Sequence, residues 1–236
     1  MNFITVDSYE ILSKKAAAVI CGQVALKLNS VLGLATGSTP LGTYKEMAEK
    51  CASGEVDFSK VQTINLDEYV GLSAEHEQSY RYFMNHNLFE KINLDITRTS
   101  VPNGTATDLK KECELYDETI KNAGGIDLQL LGIGIDGHIG FNEPDDRFIK
   151  ETHMVDLDPS TITANARFFK NEAEVPRKAI TMGMGGIMGA KKVLLIANGK
   201  EKKDILEKAF FGPITPKIPA SVLQLHPDVT VIYSEK

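Results

Sequence analysis

Several features that mark other classes of protein are absent from this chain of 236 residues. Its three cysteines, Cys21, Cys51 and Cys113, form no Cys-x-x-Cys pair, so we expect reduced core thiols rather than disulfides or a zinc site. No apolar run approaches the ~20 residues that span a bilayer. The N-terminus lacks the basic and apolar regions of a secretion signal. These absences predict a cytoplasmic protein without a membrane partner.

Positive charge is also scarce. The chain has 26 Lys and Arg against 32 Asp and Glu, a formal net charge of −6. This balance argues against nucleic acid as the main partner, and an anionic ligand would need a local pocket to attract it. We find no repeat, no low-complexity tract and no linker rich in Pro, Ser or Gly. We therefore expect a single domain over residues 1–236.

Strand-like and helix-like segments alternate along the chain. The predicted strands are Phe3–Val6, Val31–Ala35, Val61–Leu66, Ile126–Leu131, Lys192–Ala197 and Val229–Tyr233. The predicted helices include Leu12–Ile20, Pro40 to about Lys50, Leu109–Ile120 (ended by Gly124-Gly125) and Lys200–Phe210. Strands separated by helices of roughly 10–15 residues predict right-handed βαβ units. The fold class is therefore α/β, a three-layer sandwich with a mostly parallel sheet between helices.

The most informative segment is Leu131–Pro144, which follows a predicted buried strand. It places Asp136, His138 and Glu143 among four glycines, and the bare backbone would let a small ligand approach closely. Ionisable groups beyond the carboxyl end of a strand occupy the usual position of an α/β active site. Asp136 and His138 share one side of an extended loop, so either acid could orient and charge the imidazole.

Two other interpretations of this segment are weaker. The three ionisable side chains could bind a divalent metal. The segment also contains Gly132-x-Gly-x-x-Gly137, a formal match to the dinucleotide fingerprint. That match lies in mid-chain, with Asp136 and His138 where an apolar helix should begin, so we do not expect a dinucleotide site.

A second candidate site residue lies at the end of the predicted strand Val61–Leu66. Asp67 and Glu68 follow it, and neighbouring side chains in an extended segment point to opposite faces. Only one of the two carboxylates should therefore face a pocket. Held beside Leu66 and Tyr69, that carboxylate could have a raised pKa and act as a base. The alternative is that both are solvated loop residues.

A third motif is suited to an anion. Its residues are Thr36, Gly37, Ser38, Thr39 and Pro40, between a predicted strand and a predicted helix. Free N–H groups at the helix start and two hydroxyls would bind a phosphate, although a plain N-cap followed by proline is an equal alternative. No Walker lysine follows, which argues against a nucleotide triphosphatase.

Two basic residues are candidates for holding the same anion. Arg167 is flanked by apolar residues, and Lys202 lies in the first turn of the last predicted helix. A bidentate guanidinium suits a phosphate, although a solvated surface charge is the alternative for each residue. We expect the remaining histidines, His76, His86, His153 and His226, to be structural. We expect the run Thr181–Met188 to pack tightly near the site, with methionines filling gaps.

Together these segments resemble the glucosamine-6-phosphate deaminase family over nearly the whole chain. The matching motifs, in order, are Thr36–Pro40, Asn65–Gly71, Gly134–Pro144, Ala164–Phe169 and Leu223–Pro227. The resemblance implies a Rossmann-like fold and a hydrolytic, isomerising deaminase of amino-sugar catabolism. Its reaction would convert glucosamine 6-phosphate and water into fructose 6-phosphate and ammonia, with no metal and no organic cofactor.

The resemblance also implies roles for the residues. His138 would assist opening of the sugar ring, with Asp136 and Glu143 setting its charge, and Asp67 would move a proton from C2 to C1. Glu68 would only support them. The phosphate would be held by Thr36, Gly37, Ser38, Thr39, Arg167 and Lys202. The family's arginine lies on a mobile lid, here roughly residues 157–177.

Long members of the family are hexamers activated by N-acetylglucosamine 6-phosphate at a basic interface site. The equivalent stretch, Thr152–Leu157, contains no Arg or Lys, and the chain stops soon after Tyr233. We therefore expect no such activation, and a monomer or small homo-oligomer.

A 6-phosphogluconolactonase is a rival of similar fold, but Phe141–Pro144 resembles the deaminases. A non-catalytic sugar-phosphate sensor is the other rival. The expected start in a strand, without a DNA-binding segment, argues against it, as does the full set of acids around His138.

Overall fold

A parallel sheet of seven strands forms the centre of the computed structural model, which describes residues 1–158, 162–163, 169 and 174–236. The strands of the described residues are, in chain order, β1 (Asn2–Val6), β2 (Val31–Leu34), β3 (Gln62–Asn65), β4 (Asp67–Tyr69), β5 (Thr99–Ser100), β6 (Leu128–Leu131), β7 (His153–Asp156), β8 (Lys178–Thr181), β9 (Val193–Asn198) and β10 (Val229–Ser234). The large sheet has the order β1-β10-β9-β6-β2-β3-β5. The predicted mostly parallel α/β sheet is confirmed.

Helices pack on both faces of this sheet. Those of the described residues are α1 (Tyr9–Leu26), α2 (Leu41–Ala52), α3 (Tyr80–Asn87), α4 (Leu109–Asn122), α5 (Met184–Met188) and α6 (Lys203–Phe211). Short 3-10 turns cover Phe89–Lys91, Ile96–Arg98, Lys200–Lys202 and Pro219–Leu225. The glycine pair predicted to end α4 does so with left-handed backbone, at φ 81° for Gly124 and 82° for Gly125. Among the described residues, no helix combines the length and the apolarity needed to cross a bilayer.

The apolar runs of the strands reflect burial on both faces. In β9, Val193 and Leu195 pack against α4, α5 and α6, whereas Leu194 and Ile196 pack against α1 and α2. Strands covered on both sides read as continuous rather than alternating apolar sequences. This is why the central strands were predictable and why the fold has three layers.

The chain order creates a crevice beside β2. From β2 the chain adds β3 and β5 on one side, and β6, β9 and β10 lie on the other. The segments that follow β2 and β6 therefore diverge at the carboxyl edge of the sheet. Such a switch point is where open α/β sheets bind ligands.

A small antiparallel sheet, β4-β8-β7, adjoins this edge. The backbone changes sheets at Leu66, whose N–H donates to Leu34 and whose carbonyl accepts from the N–H of Met182. Asp67 then pairs with Thr181 across β4 and β8. The alternative that Asp67 and Glu68 are solvated loop residues is wrong, because both are buried in a strand.

Two of the three thiols match the sequence prediction. Cys21 and Cys113 are buried, as expected of core residues, whereas Cys51 is partly exposed.

The glycine- and methionine-rich run also packs as predicted. A Cβ on Gly183 would lie 2.2 Å from the Glu151 carbonyl oxygen, and Met182 is fully buried.

A buried carboxylate fastens the amino end of the sheet. Asp127 is 3% exposed, accepts from the Val31 N–H at 2.8 Å, and contacts the ammonium groups of Lys27 and Lys191 at 2.6 and 2.8 Å. Burial opposes ionisation of Asp127, but its lysine and N–H contacts outweigh burial and lower its pKa. We expect Asp127→Ala to reduce the free energy of unfolding by about 1–3 kcal/mol, because it leaves a buried N–H without an acceptor.

Urea unfolding at pH 7 measures this loss. Because the pKa of Asp127 is depressed in the folded protein, its contribution is present above the ordinary aspartate pKa of 3.8 and is lost as the pH falls through the lower folded value. Glu10→Ala, which breaks an exposed pair with Lys14, is the control and should change stability by less than about 0.5 kcal/mol. Equal losses in the two variants would contradict the prediction.

Candidate active site

Four segments with polar side chains meet at the carboxyl edge of the large sheet. The parallel strands β9, β6, β2 and β3 are neighbours in that order. The segments that follow them are Lys200–Lys202, Gly132–Pro144, Thr36–Pro40 and the start of β4 at Asp67. Neighbouring parallel strands end at one edge, so these segments share one cleft.

His138 lies in this cleft between two acids. Its Nδ1 is 2.8 Å from Asp136 Oδ1 and 3.3 Å from Glu143 Oε2. The same Asp136 oxygen accepts the backbone N–H of His138 at 3.1 Å. Burial opposes the positive charge of the imidazole, but the two acids outweigh it and raise the pKa of His138 to about 9. His138 likewise outweighs the effect of burial on Asp136 and holds the pKa of that carboxyl below its usual range.

These contacts bear on the metal alternative. One ligand atom from each of Asp136, His138 and Glu143 lies within 4.8 Å of the others. However, Nδ1 lies 2.8 Å from an oxygen of Asp136 and 3.3 Å from an oxygen of Glu143, which is the spacing of direct ion pairs. The arrangement is that of an imidazolium held by two carboxylates.

The glycines of this loop make room for the loop's own side chains. A Cβ on Gly134 would lie 2.4 Å from His138 Nδ1 and 2.6 Å from Asp136 Oδ1. Gly137 has φ 90°, and a Cβ there would lie 2.7 Å from Ile218. At Gly134 and Gly137 the expectation that the glycines leave space for a ligand is therefore wrong, because protein side chains fill that space. A Cβ on Gly132 would meet nothing within 4 Å.

Thr181 and Asn142 fasten the loop to β8, and the sequence reasoning missed both. Thr181 Oγ1 accepts the Phe141 N–H at 3.0 Å. The Asn142 amide donates to the carbonyls of Ile139 and Met182, each at 2.9 Å. The available signal was the glycine- and methionine-rich run, which begins at Thr181 and was expected to pack near the site.

Asp67 faces the same loop. A Cβ on Gly140 would lie 3.5 Å from Asp67 Oδ2 and 3.0 Å from Thr181 Oγ1. Asp67 is 6% exposed. Burial, followed by the negative charge of Glu68, raises its pKa to about 8, while the charge of His138 acts in the opposite direction. Asp67 and the acid-flanked imidazole therefore lie on the same side of the molecule.

Glu68 points the other way, as the alternation along a strand predicts. Its carboxylate accepts the N–H groups of Tyr80 and Arg81 at the start of α3, each at 2.9 Å. Of the two adjacent carboxylates, Asp67 faces the His138 loop and Glu68 lies behind the strand.

The segment Thr36–Pro40 precedes α2 without capping it. Pro40 occupies the N-cap position, one residue before the predicted place, and no side chain caps the helix there. The plain N-cap interpretation of the hydroxyls is therefore wrong. Tyr9 holds the segment: its hydroxyl contacts the carbonyls of Ser38 and Thr39 at 3.2 and 3.0 Å and accepts the Gly42 N–H at 2.8 Å. Among the described residues, the N–H groups of Gly37, Ser38 and Thr39 find no acceptor.

Only one of the two predicted cationic partners falls within the described residues. Lys202 ends the 3-10 turn before α6, and its Nζ donates to the Ile133 carbonyl at 2.7 Å. This contact places the lysine against the His138 loop. Arg167 lies outside the described residues, as does much of the segment 157–177. Within that segment, Leu157, Ile162 and Val175 are buried against Tyr69 and Phe141.

The remaining histidines have structural partners. His226 is buried, its Nε2 lies 2.8 Å from the Ala190 carbonyl, and its Nδ1 accepts the Asp228 N–H. His86 stacks on Tyr82. His76 and His153 contact backbone groups through Nδ1.

Known proteins resemble this chain over almost its whole length. Residues 9–232 match the model of a family described as glucosamine-6-phosphate isomerases/6-phosphogluconolactonase. The chain is 64% identical to the glucosamine-6-phosphate deaminase of Lachnoclostridium phytofermentans, over 98% of each chain. It is 56% identical to the glucosamine-6-phosphate deaminase of Thermoanaerobacter pseudethanolicus, over 100% of this chain and 93% of the relative.

Solved structures agree with these relatives. A monomeric glucosamine-6-phosphate deaminase superposes with a TM-score of 0.97 at 43% identity, covering 99% of this chain and 97% of the other. The 6-phosphogluconolactonase from Trypanosoma cruzi superposes with a TM-score of 0.79 at 18% identity, covering 99% and 94%, and shows a shared fold alone. The resemblance drawn from the motifs is confirmed, and the chain belongs to the family of glucosamine-6-phosphate isomerases and 6-phosphogluconolactonases.

Proposed function

We propose that this chain is a glucosamine-6-phosphate deaminase that converts glucosamine 6-phosphate and water into fructose 6-phosphate and ammonia. The observation that carries this proposal is the single cleft in which buried Asp67 faces the loop of His138. Burial raises the pKa of Asp67 to about 8, and two acids raise the pKa of His138 to about 9. Between these values Asp67 is ionised while His138 keeps its proton, so the carboxylate can act as the base and the imidazolium as the acid of one reaction. The steps below need proton transfer and water, and we assign no cofactor.

Ring opening is the task of His138. Its Nδ1 is held by Asp136 and Glu143, so Nε2 carries the proton that can be transferred. That proton goes to the ring oxygen of the sugar as its bond to C1 breaks, and the C1 hydroxyl gives its own proton to water. The product is the open aldehyde.

Asp67 then moves a proton between two carbons. Its ionised carboxylate removes the proton from C2, the electron pair forms the C1–C2 double bond, and the C1 carbonyl oxygen takes a proton from water, which gives an enolamine. Returning the proton to C1 leaves an imine at C2. Water adds to C2 and ammonia departs, which gives the ketose. A carboxylate with a raised pKa is a stronger base than an ordinary aspartate, and such proton transfer contributes about 10²–10⁴ in rate.

The phosphate would bind beyond these groups. We assign it to the N–H and hydroxyl groups of the segment Thr36–Thr39, to Lys202 and to Arg167. N–H groups preceding a helix attract an anion, and remote binding energy aligns C1 and C2 with the base. We also propose that residues 1–236 form one catalytic domain and that the segment 157–177, which carries Arg167, closes over the sugar as a lid.

Asp67→Asn should lower kcat by about 10²–10⁴, because an amide of the same shape cannot accept the C2 proton. The measurement is a coupled assay of ammonia and fructose 6-phosphate, with substrate binding followed separately. Asp7→Asn, at an exposed aspartate, is the matched control and should leave kcat unchanged. Near-normal turnover of Asp67→Asn would remove Asp67 from the mechanism.

Glu143→Gln should shift the alkaline limb of the pH profile. The imidazolium of His138, with a pKa of about 9, must be present in the free enzyme, so kcat/KM should fall above that pH. Removing one of the two negative charges near Nδ1 lowers the pKa of His138 and moves the limb to lower pH. A limb that stays in place would show that Glu143 does not control the imidazole.

We further propose a monomer or small homo-oligomer without activation by N-acetylglucosamine 6-phosphate. The stretch Thr152–Leu157 contains β7 and carries no Arg or Lys that could bind the effector's phosphate. Rate against substrate concentration should be hyperbolic and unchanged by the acetylated sugar phosphate. Sigmoidal kinetics relieved by that compound would contradict this expectation.

A further inference from the structure

Glu68 is a buried carboxylate that the steps above do not use. It is 2% exposed. Its Oε1 accepts the N–H groups of Tyr69 at 2.8 Å and Tyr80 at 2.9 Å, and its Oε2 accepts the Arg81 N–H at 2.9 Å. Both oxygens therefore face backbone donors, and two of these donors belong to the first turn of α3.

These contacts favour the ionised form of Glu68. Burial raises the pKa of Glu68 above its ordinary value, and the three N–H groups and the charge of Arg81 offset only part of that rise. A protonated carboxyl would direct a hydrogen at one of these donors and lose a hydrogen bond. The first turn of a helix also favours a negative charge. The guanidinium of Arg81 is itself held by the Thr99 hydroxyl and carbonyl, at 2.6 and 3.2 Å.

We propose that Glu68 is a positioning residue for the deamination reaction. Its carboxylate fixes β4 to the start of α3 so that Asp67 is directed at the sugar, and its negative charge acts on Asp67. This inference rests on the proposed function. It concerns an interaction between adjacent residues on opposite sides of one strand.

The aim of Asp67 follows from how β4 is held. One edge of the strand pairs with β8, where Asp67 lies opposite Thr181. Glu68 supplies the attachment on the α3 side, because its carboxylate bridges the N–H of Tyr69 and those that begin the helix. Tyr80, one of the residues it holds, stacks on Phe141 of the His138 loop with ring centroids 5.9 Å apart. The same carboxylate therefore ties the base to the loop that carries the acid.

Glu68 is one of two charged groups among the described titratable side chains that interact with Asp67. Titratable side chains that interact with Asp67 come from each element packed against it: Glu68 and Tyr69 on β4, His138 on the loop after β6, Tyr44 on α2, Tyr80 on α3 and Tyr116 on α4. Burial raises the pKa of these phenols, so they are neutral at the working pH. Glu68 and His138 are the charged members, and they act on Asp67 in opposite directions.

The test is the pH dependence of kcat/KM for ammonia release by the wild-type chain and by Glu68→Gln. In the wild type, activity should fall below the Asp67 pKa of about 8, because the base must be ionised. Glu68→Gln removes the neighbouring negative charge, so the acidic limb should move down by about one pH unit. The amide also loses part of the contact with α3, and kcat at the optimum should fall about 10-fold or more.

A matched variant separates this role from helix stability. The hydroxyl of Ser79 caps the same helix by accepting the Tyr82 N–H at 3.1 Å, and it carries no charge. Ser79→Ala should lower the urea midpoint of unfolding without moving the acidic limb. If both variants shift the limb equally, or if neither does, the electrostatic role of Glu68 is overturned.

Glu68→Asp covers the case in which the glutamine variant does not fold. It keeps the charge but draws the carboxylate back by one methylene, so kcat should fall while the limb stays near its wild-type position. Wild-type kcat in Glu68→Asp would overturn the positioning role. If the wild-type chain releases no ammonia from glucosamine 6-phosphate, the proposed function itself fails, whereas release with an unmoved limb in Glu68→Gln refutes only the role of Glu68.

Discussion

The site depends on the burial of two acid–base groups close to each other, the carboxyl of Asp67 and the imidazole of His138. Asp67 loses water and lies next to the negative charge of Glu68, so its proton is held more tightly than in an ordinary aspartate. His138 also loses water, but Asp136 and Glu143 retain its charge. In a partly buried cleft these interactions are stronger than they would be in solvent. The surrounding backbone serves mainly to keep the two environments distinct and close.

Two departures from the regular sheet create that proximity. At Leu66 the chain leaves the parallel sheet, so the residue that would end β3 instead begins a second strand facing the loop after β6. In that loop, Gly134 leaves the room that the His138 ring occupies, since a Cβ there would overlap Nδ1. The change of sheet at Leu66 directs Asp67 toward the loop, and Gly134 leaves room for the His138 ring beside the carboxylates of the same loop.

The predictable part of the fold is the part set by local pattern. Central strands such as β9 were evident because burial on both faces makes them continuously apolar, and the motifs that follow them were evident because carboxyl ends carry the chemistry. The short strands β4, β7 and β8 were not predicted. The pairing of β4 with β8 joins residues more than a hundred positions apart, and β7 belongs to the same small sheet only through β8. Helix α3 was missed because Tyr80–Asn87 is short and polar, and its start depends on Glu68, twelve residues away.

The same arrangement ties catalysis to stability. Asp67 titrates near the ordinary 3.8 when unfolded but near 8 when folded, so the folded state loses stability relative to the unfolded state as pH rises between these values. His138 has the opposite charge but the same direction. Its raised pKa contributes stability that is complete below 6.5 and is lost as pH rises through about 9. Both groups therefore contribute least to stability at alkaline pH, where ionised Asp67 is the active form. The three backbone N–H groups around Glu68 hold a third buried charge at the same strand. Strand β4 therefore carries both the proposed base and a carboxylate whose contacts fix the strand to α3.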